Sequence, residues 1–315
     1  RIVNQLEMEL GFRPPIDEFY ADPTIQGLIN AYEHIHCQPS SIDSSDAVNK
    51  QTMQIQALPG SELLESFRFI TDPEERTAFK EKQYGIRRLD APSVALPPSD
   101  TQGELYNRLR SYRHFSSIPI ALNNFSAMLA CLSQQTQQEQ PKYLYGSAGG
   151  LYPVQAYVYI KPDRVESLSE GIYYYDPVEH RLVEVSDAEL DERIYNPHIN
   201  RPIYQQAAFA IFLVSQLAAI APMYKELGLH FSTLEAGLMS QLLRSHAPDV
   251  DLGVCEIGEL DFNRVRELFA LDDSHILIHS LVGGIPEQKN ATDDAAYYQA
   301  MSVVHSEREE DNREE

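Results

Sequence analysis

Two short stretches of this sequence hold residue types suited to a flat, anionic ligand. Ser147-Ala148-Gly149-Gly150-Leu151-Tyr152-Pro153 offers backbone N–H groups that no Cβ shields, because glycine lets a ligand come into contact with the main chain. Upstream, Arg110-Ser111-Tyr112-Arg113 offers two planar, permanently charged forks suited to phosphate or to electron-rich ring oxygens. A flavin mononucleotide presents both targets. Lys142-Tyr143 lies just before the glycine run. Taken singly, each stretch has a plainer explanation: a tight turn, solvated charges at a helix end, a surface lysine.

The elements that must position these residues are mixed. The spacing predicts helices over 62–69, 72–82, 103–112 and 124–135, the last with Phe125, Met128, Leu129 and Leu132 on one face and Asn123 or Asn124 as N-cap. Strands are predicted over 155–160, 171–176 and 181–185, with residues 176–180 as a hairpin turn; Tyr173, Tyr174 and Tyr175 then alternate between faces. The apolar run 207–214 reads as a buried strand that turns out of the sheet before Pro222. A helix over 231–246 carries Leu234, Leu238 and Leu242 in one row, widened by Met239 and Leu243, and so belongs in the interior or at a large subunit interface. Strands at 252–257 and 275–282 flank a helix expected over 261–269.

Around this body, residues 1–37 suggest a small helical module, 38–60 a linker rich in Ser, Asp and Gln, and 287–315 a polar, acidic tail. With 47 acidic against 25 basic side chains and a formal charge of -22, nucleic-acid and anionic-membrane partners are disfavoured. The longest apolar run is far short of the roughly 20 residues of a membrane helix. Without an initiator Met or a basic-then-apolar leader, the chain is expected to be a mature or excised segment of a cytoplasmic protein. Cys37, Cys131 and Cys255 lie far apart and suggest neither disulfide nor zinc site. His34, His36 and Cys37 have no distant fourth ligand, and His275 and His279 in a strand lie about 13 Å apart, so no metal is expected.

In order and spacing, Arg110-Ser111-Tyr112-Arg113-His114-Phe115, the 147–153 run, Glu235-Ala236-Gly237 and Leu252-Gly253-Val254-Cys255 with Gly258 resemble the nitroreductase-like flavoprotein superfamily. More narrowly they are similar to the oxidase domains of nonribosomal peptide synthetases and the SagB-type dehydrogenases of azole-containing peptides, over roughly residues 61–286. The resemblance implies an α+β fold, a central antiparallel-type mixed sheet flanked by helices in an intertwined homodimer. Each of its two sites would bind one FMN with residues of both subunits. Arg110, Ser111 and Arg113 would hold the flavin phosphate and pyrimidine edge, Ser147, Ala148, Gly149 and Gly150 would lie against the ring, and Gly253, Val254 and Gly258 would pass near its N5 edge.

Leu109 and the Gly283-Gly284-Ile285-Pro286 end depart from the basic residues common at those points, so Arg108 or Arg201 could share the phosphate. Lys142-Tyr143 resembles the Lys-Tyr pair of azole-forming dehydrogenases, which implies Lys142 as base with Tyr143 assisting. Residues 9–12 and 21–28 look like the later half of a peptidyl carrier protein whose attachment serine would precede Arg1. The expected activity is dehydrogenation of a thiazoline or oxazoline on a synthetase carrier protein, with dioxygen reoxidising the flavin. The competing expectations are an NAD(P)H-dependent nitro- or quinone reductase and a docking module without catalysis.

Overall fold

The computed structural model describes residues 67–68, 70, 72–97, 108–135 and 141–287. The chain divides into two compact units, 1–68 and 69–315, and the fold below belongs to the second. The carrier-like module at 1–37, the linker, the tail beyond Glu287, and His34, His36 and Cys37 lie outside the described residues. The same holds for the helix expected over 62–69, except that Phe67 and Arg68 are described and are not helical.

Six strands form one antiparallel sheet: β1 (Val154–Ile160), β2 (Gly171–Asp176), β3 (Arg181–Ser186), β4 (Phe209–Gln216), β5 (Gly253–Ile257) and β6 (His275–Gly284). Their order across the sheet is β3-β2-β1-β4-β6-β5. Central β4 is buried on both faces, which is why Phe209, Ala210, Ile211, Phe212, Leu213 and Val214 read as an unbroken apolar run. One face packs Ile211, Leu213, Val158 and Leu281 against two helices, α2 (Leu122–Leu129) and α5 (Leu227–His246). The other packs Phe212, Val214, Tyr157 and Tyr159 under Phe262, Phe269, Ile203 and Tyr204, the last two from the short helix α3 (Arg201–Gln206). Tyr173 and Tyr175 join the first face and Tyr174 the second, the alternation expected of a strand. Two further helices are α1 (Pro73–Lys82), whose Asp72 cap accepts the Glu75 N–H at 2.7 Å, and the single turn α4 (Ala221–Tyr224).

Several expected elements take another form. Of the helix expected over 103–112, residues 103–107 lie outside the described residues and 109–112 are not helical; the Tyr112 N–H is spent on Val254 O of β5 at 3.1 Å. The 261–269 segment is two 3₁₀ turns, Phe262–Arg264 and Arg266–Phe269, whose three-residue repeat still turns Phe262 and Phe269 inward. α2 begins after Ala121, with no side-chain cap; Asn124 instead donates to Val250 O at 3.1 Å. α5 starts earlier than expected, and its leucine row is not interior: Leu234 and Leu238 are 54% and 47% exposed, while Ala236, Met239 and Leu243 face the sheet.

Candidate functional site

Two of the three expected ligand-contacting segments meet. Past Tyr112, the arginine segment runs beside the end of β6, with Ser116 N–H donating to Ile285 O at 2.9 Å and Glu287 N–H to His114 O at 3.0 Å. The Tyr112 ring lies so close to Gly253 that a Cβ there would stand 2.5 Å from its Cγ. The Arg110 guanidinium covers the same ring, 5.0 Å from its centroid. Arg110 is exposed, Ser111 and Arg113 are half-buried, and Gly258 is exposed at the far end of β5. Of the two substitute cations, Arg108 pairs with Asp249 and Arg201 donates to Tyr195 O at 3.2 Å, so both have partners in the fold.

The third segment, the glycine turn, stands elsewhere. It enters β1 at Val154, opposite Ser215 near the end of β4. Gly253 pairs instead with Gly284, beside Gly283, which lies opposite Phe209 at the start of β4 and so level with Ile160 at the end of β1. At about 3.3 Å per residue, β1 separates the two ends by roughly 20 Å. One subunit therefore carries its arginine segment and its glycine turn at opposite ends of the sheet.

The turn is built on left-handed residues: Gly149 at φ 63°, Gly150 at φ 67° and Tyr152 at φ 50°. A Cβ on Gly150 would meet nothing within 4 Å, which leaves that side of the turn open to a flat ligand. Ser147 Oγ accepts the Tyr152 N–H at 2.9 Å. Beneath the turn, Glu235 of α5 is buried and its Oε1 accepts the Val154 N–H at 3.1 Å. Burial pushes the Glu235 carboxyl up to about 7, against the opposing pull of hydrogen bonds from Ser147 and Val154. Its Oε2 is buried with no partner among the described residues.

Tyr143, Tyr145 and Tyr152 cluster beside it, with Tyr143 and Tyr152 centroids 4.1 Å apart. With Tyr174, Tyr175 and Met239 they line a cavity of about 180 Å³, enough for a single ring given that benzene fills a cavity of about 150 Å³. Tyr143 accepts a hydrogen bond from the Gln134 amide at 3.3 Å, and burial raises its pKa, so the phenol stays protonated at neutral pH. Lys142 is exposed, its carbonyl accepting Gln135 N–H at 2.6 Å, and its side chain is not part of the cavity wall. Among the described residues no group of three or more His, Cys, Asp or Glu could hold a metal, and no helix is long and apolar enough to cross a membrane.

Sequence reasoning assigned no role to Glu235, Tyr145 or Tyr152. The available signal was a lone acid in an apolar helix, since a carboxylate is rarely buried without a hydrogen-bonding task.

A nitroreductase-type protein of Methanocaldococcus jannaschii is 24% identical over 169 residues, 54% of this chain and 84% of the relative. Indigoidine synthases of Dickeya dadantii and Streptomyces lavendulae are 30% and 32% identical over 60% and 58% of this chain. This chain spans only 12% and 13% of those two proteins. The solved McbBCD microcin synthetase complex of E. coli, with truncated pro-MccB17 bound, contains a chain that superposes with a TM-score of 0.55 at 18% identity, over 73% of this chain and 87% of that one, and so shares the fold. The nitroreductase family profile matches residues 107–284, more than half of the chain, and the chain belongs to that family.

Proposed function

We propose that this protein is an FMN-dependent oxidase that dehydrogenates a carrier-protein-bound thiazoline or oxazoline to the azole during nonribosomal peptide assembly. The observation that carries the reading is the placement of the arginine segment and the glycine turn at opposite ends of the sheet, which a homodimer would reunite at two sites. The exposed leucines of α5, Leu227, Leu234 and Leu238, supply apolar surface for that contact. Likeness to the indigoidine synthases and to a chain of the microcin synthetase complex, solved with truncated pro-MccB17 bound, supports a biosynthetic setting.

The residues fit the group. Arg110, Ser111 and Arg113 of one copy would hold the phosphate and pyrimidine edge, with Gly253, Val254 and Gly258 of the same copy beside the ring. The turn at Ser147, Ala148, Gly149 and Gly150 of the other copy would lie against the ring, through the side left uncovered at Gly150. When bound, FMN supplies a hydride acceptor, which dioxygen then restores. Aromatisation also removes a carbon-bound proton. Lys142, the chain neighbour of Tyr143, takes it, while the protonated Tyr143 donates a hydrogen bond that orients the ring. Tyr145, Tyr152 and Tyr174 exclude water from the ring by packing around it.

The test loads the purified full chain with FMN, checks for flavin absorbance, and follows a carrier-bound azoline by mass spectrometry. Loss of two hydrogens is expected. Turnover of NAD(P)H with a nitroaromatic but no azoline oxidation would replace this reading with the reductase one.

A further inference from the structure

A carboxyl buried on an apolar helix face is costly unless hydrogen bonds hold it, and Glu235 shares the inward side of α5 with Ala236, Met239 and Leu243. What holds Glu235 is the glycine turn. Its Oε1 takes the N–H of Val154, the first residue of β1, at 3.1 Å. Ser147, the first residue of the turn, also favours the charged form of that carboxyl, whose Oε2 is buried without a partner among the described residues. Ser147 in turn accepts the Tyr152 N–H at 2.9 Å, so the turn is closed on itself by Ser147 and fastened at its β1 end by the carboxyl. Between those points Gly149, Gly150 and Tyr152 all adopt left-handed φ, a conformation that Tyr152 does not take unforced.

We propose that Glu235 is a positioning residue, whose carboxylate clamps the 147–154 turn in the strained conformation that meets the cofactor and whose protonation loosens it. The link to a cofactor rests on the FMN reading above; the clamp itself does not. The titratable groups that interact with the Glu235 carboxyl are Tyr143 and Tyr145, with Cys131 behind Tyr145. Burial raises Tyr143 and Tyr145 and pushes the Cys131 thiol up to about 12, so Glu235 titrates without them near neutrality. Its value of about 7 lies above the usual 4.5. Stability from this group is therefore complete below the ordinary value and is lost as pH rises through about 7, whereas the clamp needs the carboxylate present above about 7. Fold stability and grip on the turn thus depend on pH with opposite signs, which a merely structural acid would not do.

The test compares the full chain with Glu235→Gln and Ser147→Ala at about pH 6 and pH 8 by three readouts: amide hydrogen exchange at Tyr152 and Val154, melting temperature, and FMN affinity by flavin fluorescence. In the unmodified protein, exchange corrected for its intrinsic pH dependence is expected to be slower at pH 8. Glu235→Gln is expected to lose that protection, to melt a few degrees higher at pH 8, and to bind FMN about tenfold more weakly there. Ser147→Ala retains the charge and is expected to lose part of the protection. Unchanged exchange in both variants, or lost protection together with a lower melting temperature in Glu235→Gln, would overturn the clamp. Failure of the unmodified protein to bind FMN at either pH would instead overturn the FMN reading, the exchange data still deciding the clamp.

Discussion

Gly149 and Gly150, in the turn before β1, stand exposed at φ 63° and 67°, whereas Gly253, Gly283 and Gly284, at the ends of β5 and β6, are buried. The second group is glycine because neighbours leave no room: a Cβ on Gly283 would sit 2.4 Å from the Phe209 ring, one on Gly253 2.5 Å from Tyr112, and one on Gly284 3.2 Å from Phe115. In the first group backbone conformation demands glycine, and at Gly150 the space beyond is open. One region shows its main chain outward, while the other lets the arginine segment lie flat on the sheet. Glycines of similar appearance in a sequence can thus expose main chain at a turn or merely permit packing.

The largest effect that would test this division is on cofactor capacity. Arg110→Ala with Arg113→Ala in one copy, and a bulky Gly150→Val in another, are each expected to abolish FMN binding alone. Mixed and allowed to exchange subunits, they should recover about a quarter of the sites, since half the dimers are mixed and each has one intact site. No recovery in an equilibrium dialysis titration would place both regions in one subunit's site.

Next comes stability at the packed glycines. Gly283→Ala should cost about 3 kcal/mol or more, since buried Phe209 and the Gly253 carbonyl both block the methyl. Gly253→Ala should cost about 2 kcal/mol and also lower FMN affinity by displacing Tyr112 and the arginines beside it. Denaturant melts with FMN titrations separate the two effects.

Gly150→Ala should cost only about 1 kcal/mol of backbone strain, with a proportionately greater loss of FMN affinity. At the bottom of the scale, Gly258→Ala, with nothing within 4 Å and no left-handed φ, should alter stability by less than about 0.5 kcal/mol. A large loss of stability there would show that open space in one subunit is filled in the assembly.

The strands were the legible part of the fold, because alternation in Tyr173, Tyr174 and Tyr175 and unbroken apolarity in β4 each have one simple structural solution. Spacing could not separate a helix from paired 3₁₀ turns at Phe262, Val265 and Phe269, which recur every three or four residues under either geometry. Nor could periodicity tell which side of α5 faces its own sheet, since Leu234 and Met239 look equally apolar. At the site, the residue types and the glycine turn were readable locally. The separation of turn from arginine segment was not, because it follows from β4 pairing with both β1 and β6. The tie between Tyr112 and Gly253 likewise joins residues far apart in the chain, and no local pattern records it.

That placement of β4 also bears on how the chain is made. β1, β2 and β3 are consecutive and can pair as soon as they leave the ribosome, and β4 can join β1 directly. Its other edge, from Phe209 to Gln216, stays bare until β6 has been translated through Gly284. At about 5–20 residues per second this leaves an apolar strand edge open for several seconds on every nascent chain. Yield during synthesis should therefore respond to translation speed across 217–284 and to chaperones that shield strand edges, even for variants whose finished fold is fully stable.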